Sequence, residues 1–182
     1  MINKLKQKFF SDGHLTELLK GSSIAFIFRI VGMGFGYVLT LMITRWYGAD
    51  TMGLFSLSIT LLNIFATIGV FGFDNSLVKF IADYNSNGNL HLIREVYQKS
   101  LYLVLPLTIF LSVLLFFGSE IFAVQLFKND KLIQFFNITS LGVVPFVLLR
   151  INFTVFRALK YIELFSFFQN VGIYLGAIAI LS

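Results

Sequence analysis

The sequence predicts an all-α, polytopic integral membrane protein with about five transmembrane helices. Three observations predict it. Of the 182 residues, 57% are apolar, enough to fill about five spans of ~20 mostly apolar residues. Only 13% are charged, against about 25% in a soluble domain. The mean hydropathy is +0.84, and 23 residues are Phe. A water-soluble fold is excluded because its surface could not be covered with polar side chains, and disorder is excluded by the same composition. The absence of Cys removes disulfides, zinc–thiolate sites, iron–sulfur clusters and thiol catalysis. A net charge of +5 reflects loop charges rather than a nucleic-acid surface.

The first 21 residues mix Lys4, Lys6, Lys8 and Lys20 with Asp12 and Glu17. They read as a cytoplasmic tail with a short interfacial helix. They are not a cleavable signal, because the apolar run that follows is too long and no small-residue cleavage site ends it. Residues 22–182 read as the membrane bundle, with spans near 22–44, 54–73, 100–117, 133–153 and 164–182. Between the first two spans, Trp46 and Tyr47 suit a membrane–water interface, and Gly48, Asp50 and Gly53 predict a tight turn. The second span is expected to continue helically to Ala82. Asn85-Ser86-Asn87-Gly88-Asn89 is the clearest loop. His91 to Lys99 reads as a short amphipathic helix leading into the third span. Ser119 to Leu132, with Glu120, Lys128, Asp130 and Lys131, reads as an interfacial connector. Arg157, Lys160 and Glu163 form a polar loop before the fifth span.

Loop charges set the orientation. With the N-terminus inside, the inner segments hold Lys4, Lys6, Lys8, Lys20, Lys79, Arg94, Lys99, Arg157 and Lys160, and the outer ones hold Arg45, Lys128 and Lys131. The expected location is therefore the cell membrane, multi-pass, with a cytoplasmic N-terminus. The sequence stops inside an apolar segment, at Ile180-Leu181-Ser182, so it is expected to be the N-terminal piece of something longer.

The spans carry polar stripes at helical spacing. Ser22, Ala25, Arg29, Gly32, Gly36 and Thr40 recur on the first, and Ser56, Thr60, Asn63, Thr67 and Asp74 on the second. Gln169, Gly172 and Gly176 share a face on the fifth, with Asn170 beside it. Such stripes serve either close helix packing or a water-filled cavity. An arginine inside a span costs roughly 2.5–3.5 kcal/mol on insertion scales. Arg29 therefore either snorkels to the inner interface or faces a cavity as an anion-attracting group. Arg150, near the inner end of the fourth span, is a second candidate and shares a face with Arg157. Asp74 and Lys79 are expected to pair with each other or with Arg29, and Asp74 is a candidate proton or sodium site.

Motifs for enzyme chemistry are missing: no HExxH, no paired Asp-x-Asp, and no P-loop. Gly32-Met33-Gly34-Phe35-Gly36 lies mid-span and follows no strand, so it cannot cradle phosphate in the usual way. No cofactor is called for. The sequons at Asn137 and Asn152 fall inside spans.

Three segments carry a family resemblance. They are Leu18-Leu19-Lys20-Gly21-Ser22 leading into Arg29-Ile30-Val31-Gly32; the run from Thr44-Arg45-Trp46-Tyr47-Gly48 to Gly53-Leu54-Phe55; and Gly72-Phe73-Asp74-Asn75-Ser76 running on to Lys79-Phe80-Ile81-Ala82. Arg157-Ala158-Leu159-Lys160 fits as well. The chain resembles the N-terminal part of polysaccharide (oligosaccharide-lipid) flippases of the multidrug/oligosaccharidyl-lipid/polysaccharide exporter superfamily. Lys79 stands where the family more often has Arg, and Tyr47 where Leu is usual. The resemblance implies twelve to fourteen helices in two bundles, a central cationic cavity and alternating access. It implies that the chain moves an isoprenoid-diphosphate-linked oligosaccharide to the outer leaflet. Arg29, with Arg45 or Arg150, would attract the diphosphate. Asn63, Asp74, Gln169 and Asn170 would line the polar cavity, and polar residues such as Asn63 and Gln169 would meet the sugar hydroxyls. Implied partners are the lipid-linked oligosaccharide, the bilayer and other polysaccharide-assembly membrane proteins, with no nucleic acid. The alternatives are a cation-coupled multidrug exporter, which Arg29 disfavours, a membrane polymerase, which the short outer loops disfavour, and a non-transporting assembly partner.

Overall fold

The computed structural model describes residues 13–181, with side chains from 21 to 179. All regular structure among these residues is helical. Five helices are long and apolar enough to cross a membrane: Gly21–Tyr47, Ala49–Val70, Leu90–Leu126, Leu132–Ala158 and Ile162–Ala179. The chain divides into two compact units, one of Met1–Leu39 with Lys160–Ser182 and one of Thr40–Leu159.

Helix α1 spans Gly13–Tyr47. The tail expected over residues 1–21 lies outside the described residues up to residue 12, and from Gly13 the chain is already part of this one long helix. In the first unit α1 packs beside α6 (Ile162–Phe167), a π-helical turn (Phe168–Gly172) and α7 (Ile173–Leu181). Gly32 is buried, and a Cβ there would strike the carbonyl of Asn170. One turn on, a Cβ at Gly36 would meet the Tyr174 ring at 3.3 Å. Phe28 and Phe167 meet edge to face, 5.8 Å apart. The contacts rise together in sequence, so the two spans run parallel. The glycine pair on this stripe is a packing device that lets two backbones approach closely.

The second unit is built from four further helices. Helix α2 is Ala49–Val70, α3 is Phe73–Ser86, α4 is Leu90–Glu120 with a π-helical extension Ile121–Leu126, and α5 is Leu132–Ala158. The turn between α1 and α2 is tighter than expected. Gly48 alone, at φ 88°, makes it, and Asp50 falls in the first turn of α2, where a carboxylate suits the helix dipole. The expected continuation of the second span to Ala82 is not observed. Phe71 (φ 49°) and Gly72 (φ 77°) are both left-handed, and they break α2 from α3.

The Asn85–Asn89 loop is a close hairpin turn between α3 and α4. The Asn89 N–H donates to Tyr84 O at 2.9 Å and the Gly88 N–H to Asn85 O at 3.2 Å, the paired bonds of a Schellman cap, with Gly88 at φ 70°. His91–Lys99 is no separate helix but the first part of α4. Ser119–Leu132 is not a separate connector over most of its length: the helix runs on to Leu126, and Ser119, Ala123 and Leu132 are buried. Arg157 is likewise still inside α5, and the polar loop shrinks to Leu159–Tyr161 around Lys160 at φ 64°.

Two apolar clusters fill this unit. Leu61, Phe65, Leu115, Phe136 and Val143 anchor one. Val70, Leu77, Ile81, Val147 and Ile151 anchor the other. Small hydroxyl residues let the helices meet. Thr108, fully buried, returns its proton to Val104 O at 2.7 Å and stands against Gly69. Ser112 donates to Ser140 O across α4 and α5 at 2.6 Å. Pairing such groups internally is required where no water is at hand. Tyr97 with Asn152 at one end of the α4–α5 contact and Ser112 with Ser140 at the other make it antiparallel, as successive crossings must be.

Candidate functional site

The polar stripe of α2 lies on the side opposite its packed face. Leu54, Ser58, Leu61 and Phe65 are buried, whereas Ser56, Thr60, Asn63 and Thr67 are exposed. An open groove of about 500 Å³ runs over Thr60, Asn63, Ile64, Thr67 and Ile68. Helical periodicity dictates this division, since Ser56, Thr60, Asn63 and Thr67 follow one another at three- and four-residue steps. The exposed face of α4 is different in kind. It shows Leu103, Ile109, Phe110, Val113, Leu114 and Phe117, a surface made for acyl chains.

At its Thr67 end the stripe meets an ion pair. Arg150 of α5 donates from Nε to Asp74 Oδ2 at 2.9 Å, and its Nη2 lies 2.8 Å from the same oxygen. Its Nη1 donates to Thr67 Oγ1 at 3.0 Å. Thr154 Oγ1 is 2.9 Å from Arg150 O and 3.3 Å from Asp74 Oδ1. Asp74 sits in the first turn of α3, directly after the Phe71–Gly72 break, and the break is what carries it towards α5. The expected partners of Asp74, Lys79 and Arg29, are therefore replaced by Arg150. Lys79 is exposed.

The remaining sequence-predicted residues fall as follows. Asn63 lies on the stripe, one turn before Thr67. Arg45 is exposed in the last turn of α1. Arg29 is exposed and has no acidic partner among the described side chains. Gln169 is exposed, and Asn170, in the π-helical turn, donates to Ser166 O at 2.9 Å. Arg29, Gln169 and Asn170 belong to the first unit; Asn63, Asp74 and Arg150 belong to the second. Sequence reasoning missed Thr154, which completes the ion-pair cluster. Its only signal was its place one turn after Arg150. No group of three or more His, Asp or Glu able to hold a metal occurs among the described residues.

A family model described as polysaccharide biosynthesis protein matches residues 18–182. The chain belongs to that family. No curated protein and no solved structure matches it. As a polysaccharide biosynthesis protein it is a multi-pass, all-helical membrane protein, and its membership agrees with the resemblance carried by the Arg45–Phe55 and Gly72–Ala82 segments. The polar features of the spans thus belong to a protein of glycan assembly.

Proposed function

We propose that this protein is a transporter rather than an enzyme, and that it flips an isoprenoid-diphosphate-linked oligosaccharide from the inner to the outer leaflet of the cell membrane. Its N-terminus lies inside, with residues 1–21 on the cytoplasmic side as tail and interfacial helix and 22–182 as the membrane bundle. The observation that carries this reading is the polar face of α2, turned away from the unit's core. Polar side chains facing lipid tails cost free energy with no return. The arrangement makes sense if the face borders a water-filled path. Arg29, exposed and without an acidic partner among the described side chains, is the group that attracts the diphosphate, since a guanidinium and a phosphate pair strongly at low dielectric. Arg45 serves the same charge at the far end of its helix.

The test is depletion of the protein in its own cell, followed by leaflet-resolved measurement of the lipid-linked oligosaccharide. The expected result is accumulation on the cytoplasmic leaflet while synthesis continues, with the same phenotype for Arg29→Ala at normal protein level. An unchanged distribution together with an unchanged surface glycan rejects flipping.

A further inference from the structure

The exposed stripe of α2 and the ion pair at its end differ in charge and hydrogen-bonding character from a diphosphate site. Asp74 cancels the charge of Arg150, and three of the five guanidinium N–H donors already engage Asp74 and Thr67. Two of the stripe's own donors are also engaged. Thr60 gives its hydroxyl proton to Ser56 O at 2.9 Å, so its oxygen presents lone pairs only. Asn63 donates from Nδ2 to Ile59 O at 2.8 Å. A carbonyl can accept only from the amide's NH₂ end, so that bond fixes the side-chain orientation and leaves Oδ1 as a free acceptor. Thr67 Oγ1 accepts from Arg150 Nη1 at 3.0 Å, and its hydroxyl keeps a proton of its own to give.

A ligand over this row meets an acceptor at Thr60, an acceptor and one amide proton at Asn63, and a donor at Thr67. Diphosphate oxygens are acceptors alone and would face the oxygens of Thr60 and Asn63 with like polarity. Hydroxyl groups both give and take a proton, and match the row position by position. We infer that the Thr60–Asn63–Thr67 row, closed off by the neutralised Asp74–Arg150 pair, is a subsite for uncharged sugar hydroxyls and that Arg150 takes no part in holding the diphosphate. This assignment rests on the flippase reading and divides its substrate: glycan against α2, charge elsewhere.

The test uses the full protein, purified into lipid nanodiscs, with three probes: the lipid-linked oligosaccharide, the same isoprenyl diphosphate without sugar, and the released, uncharged oligosaccharide. The Thr60→Val/Asn63→Leu double variant changes two exposed positions opposite the core. It is expected to weaken lipid-linked oligosaccharide about tenfold, the size of two lost hydrogen bonds, and to leave sugar-free isoprenyl diphosphate within about twofold. Thr60→Ser, which keeps the oxygen, is expected to bind as wild type. Equal weakening of both lipid probes overturns the inference, because the row then serves the diphosphate. Unchanged binding of both probes overturns it as well and leaves the flippase reading standing. If the unaltered protein ignores the lipid-linked probe yet binds the released oligosaccharide in a Thr60- and Asn63-dependent way, the flippase reading fails and the subsite stands. If it binds neither, both are rejected.

Discussion

Asp74 keeps only 18% of its side chain exposed, and Arg150 keeps 36%. A carboxylate so placed is tolerated because two nitrogens of the guanidinium reach it. Removing one partner of a buried pair leaves the other uncompensated, at 3–5 kcal/mol. The exposure of Arg150 lowers that figure, because solvent screens its charge. Asp74→Ala and Arg150→Met are each expected to destabilise by about 2 kcal/mol. The double variant Asp74→Ala/Arg150→Met is expected to regain most of the loss, leaving well under the sum of the two. Thermal unfolding of the four proteins in one detergent checks this, and strictly additive losses would show that the pair is not coupled. The sequence shows that each residue is unusual for a span, but not that they meet. They lie 76 positions apart, and their contact depends on how α3 and α5 dock. Arg29 was legible as an unusual residue for the same reason, and its environment was not.

Elements were more legible than contacts. Hydropathy located all five long helices, because backbone groups in a bilayer must be satisfied within the segment and long apolar runs admit little else. Gly48 and Gly88 marked two turns by composition. The break at Phe71–Gly72 was hidden. Apolar residues flank it on both sides, and a Phe in the left-handed region has no sequence signature, since that conformation is costly for any residue with a Cβ. The π-helical turns at Ile121–Leu126 and Phe168–Gly172 were invisible too, because they shift hydrogen bonds without changing polarity. The two faces of the spans yield a direct experiment, helped by a chain without cysteine. Single cysteines at Thr60 and Asn63 are expected to react in native membranes with a water-soluble, membrane-impermeant maleimide. Cysteines at Ile138 and Leu141, each 71% exposed on α5, are expected to stay inert against lipid. Equal inertness at all four positions would place the α2 stripe in lipid or in a dry contact.

α1 runs parallel to the fifth span within the first unit, and α4 runs antiparallel to α5 within the second, as five successive crossings require. The turn at Asn87 and the turn at Lys128 lie at opposite ends of the Leu90–Leu126 helix, which at 1.5 Å per residue is about 55 Å long. In the proposed orientation, in which the inner segments together carry most of the loop Lys and Arg, the Asn87 end faces the cytoplasm. A topology reporter inserted at Asn87 is expected to act as cytoplasmic and one at Lys128 as extracytoplasmic. The reverse pattern would invert the proposed orientation.

The hairpin of α3 and α4 gives the fold mechanical leverage. Leu90–Lys99 projects past the apolar part of α4 and is stiffened along its side by α3, with the Schellman cap at its tip. Measured from mid-bilayer, the tip stands about 30 Å out, so a 10° rotation of the helix would sweep it about 5 Å. Asn87 is thus the far end of a pointer. A spin label or fluorophore attached there would magnify small rotations of the unit.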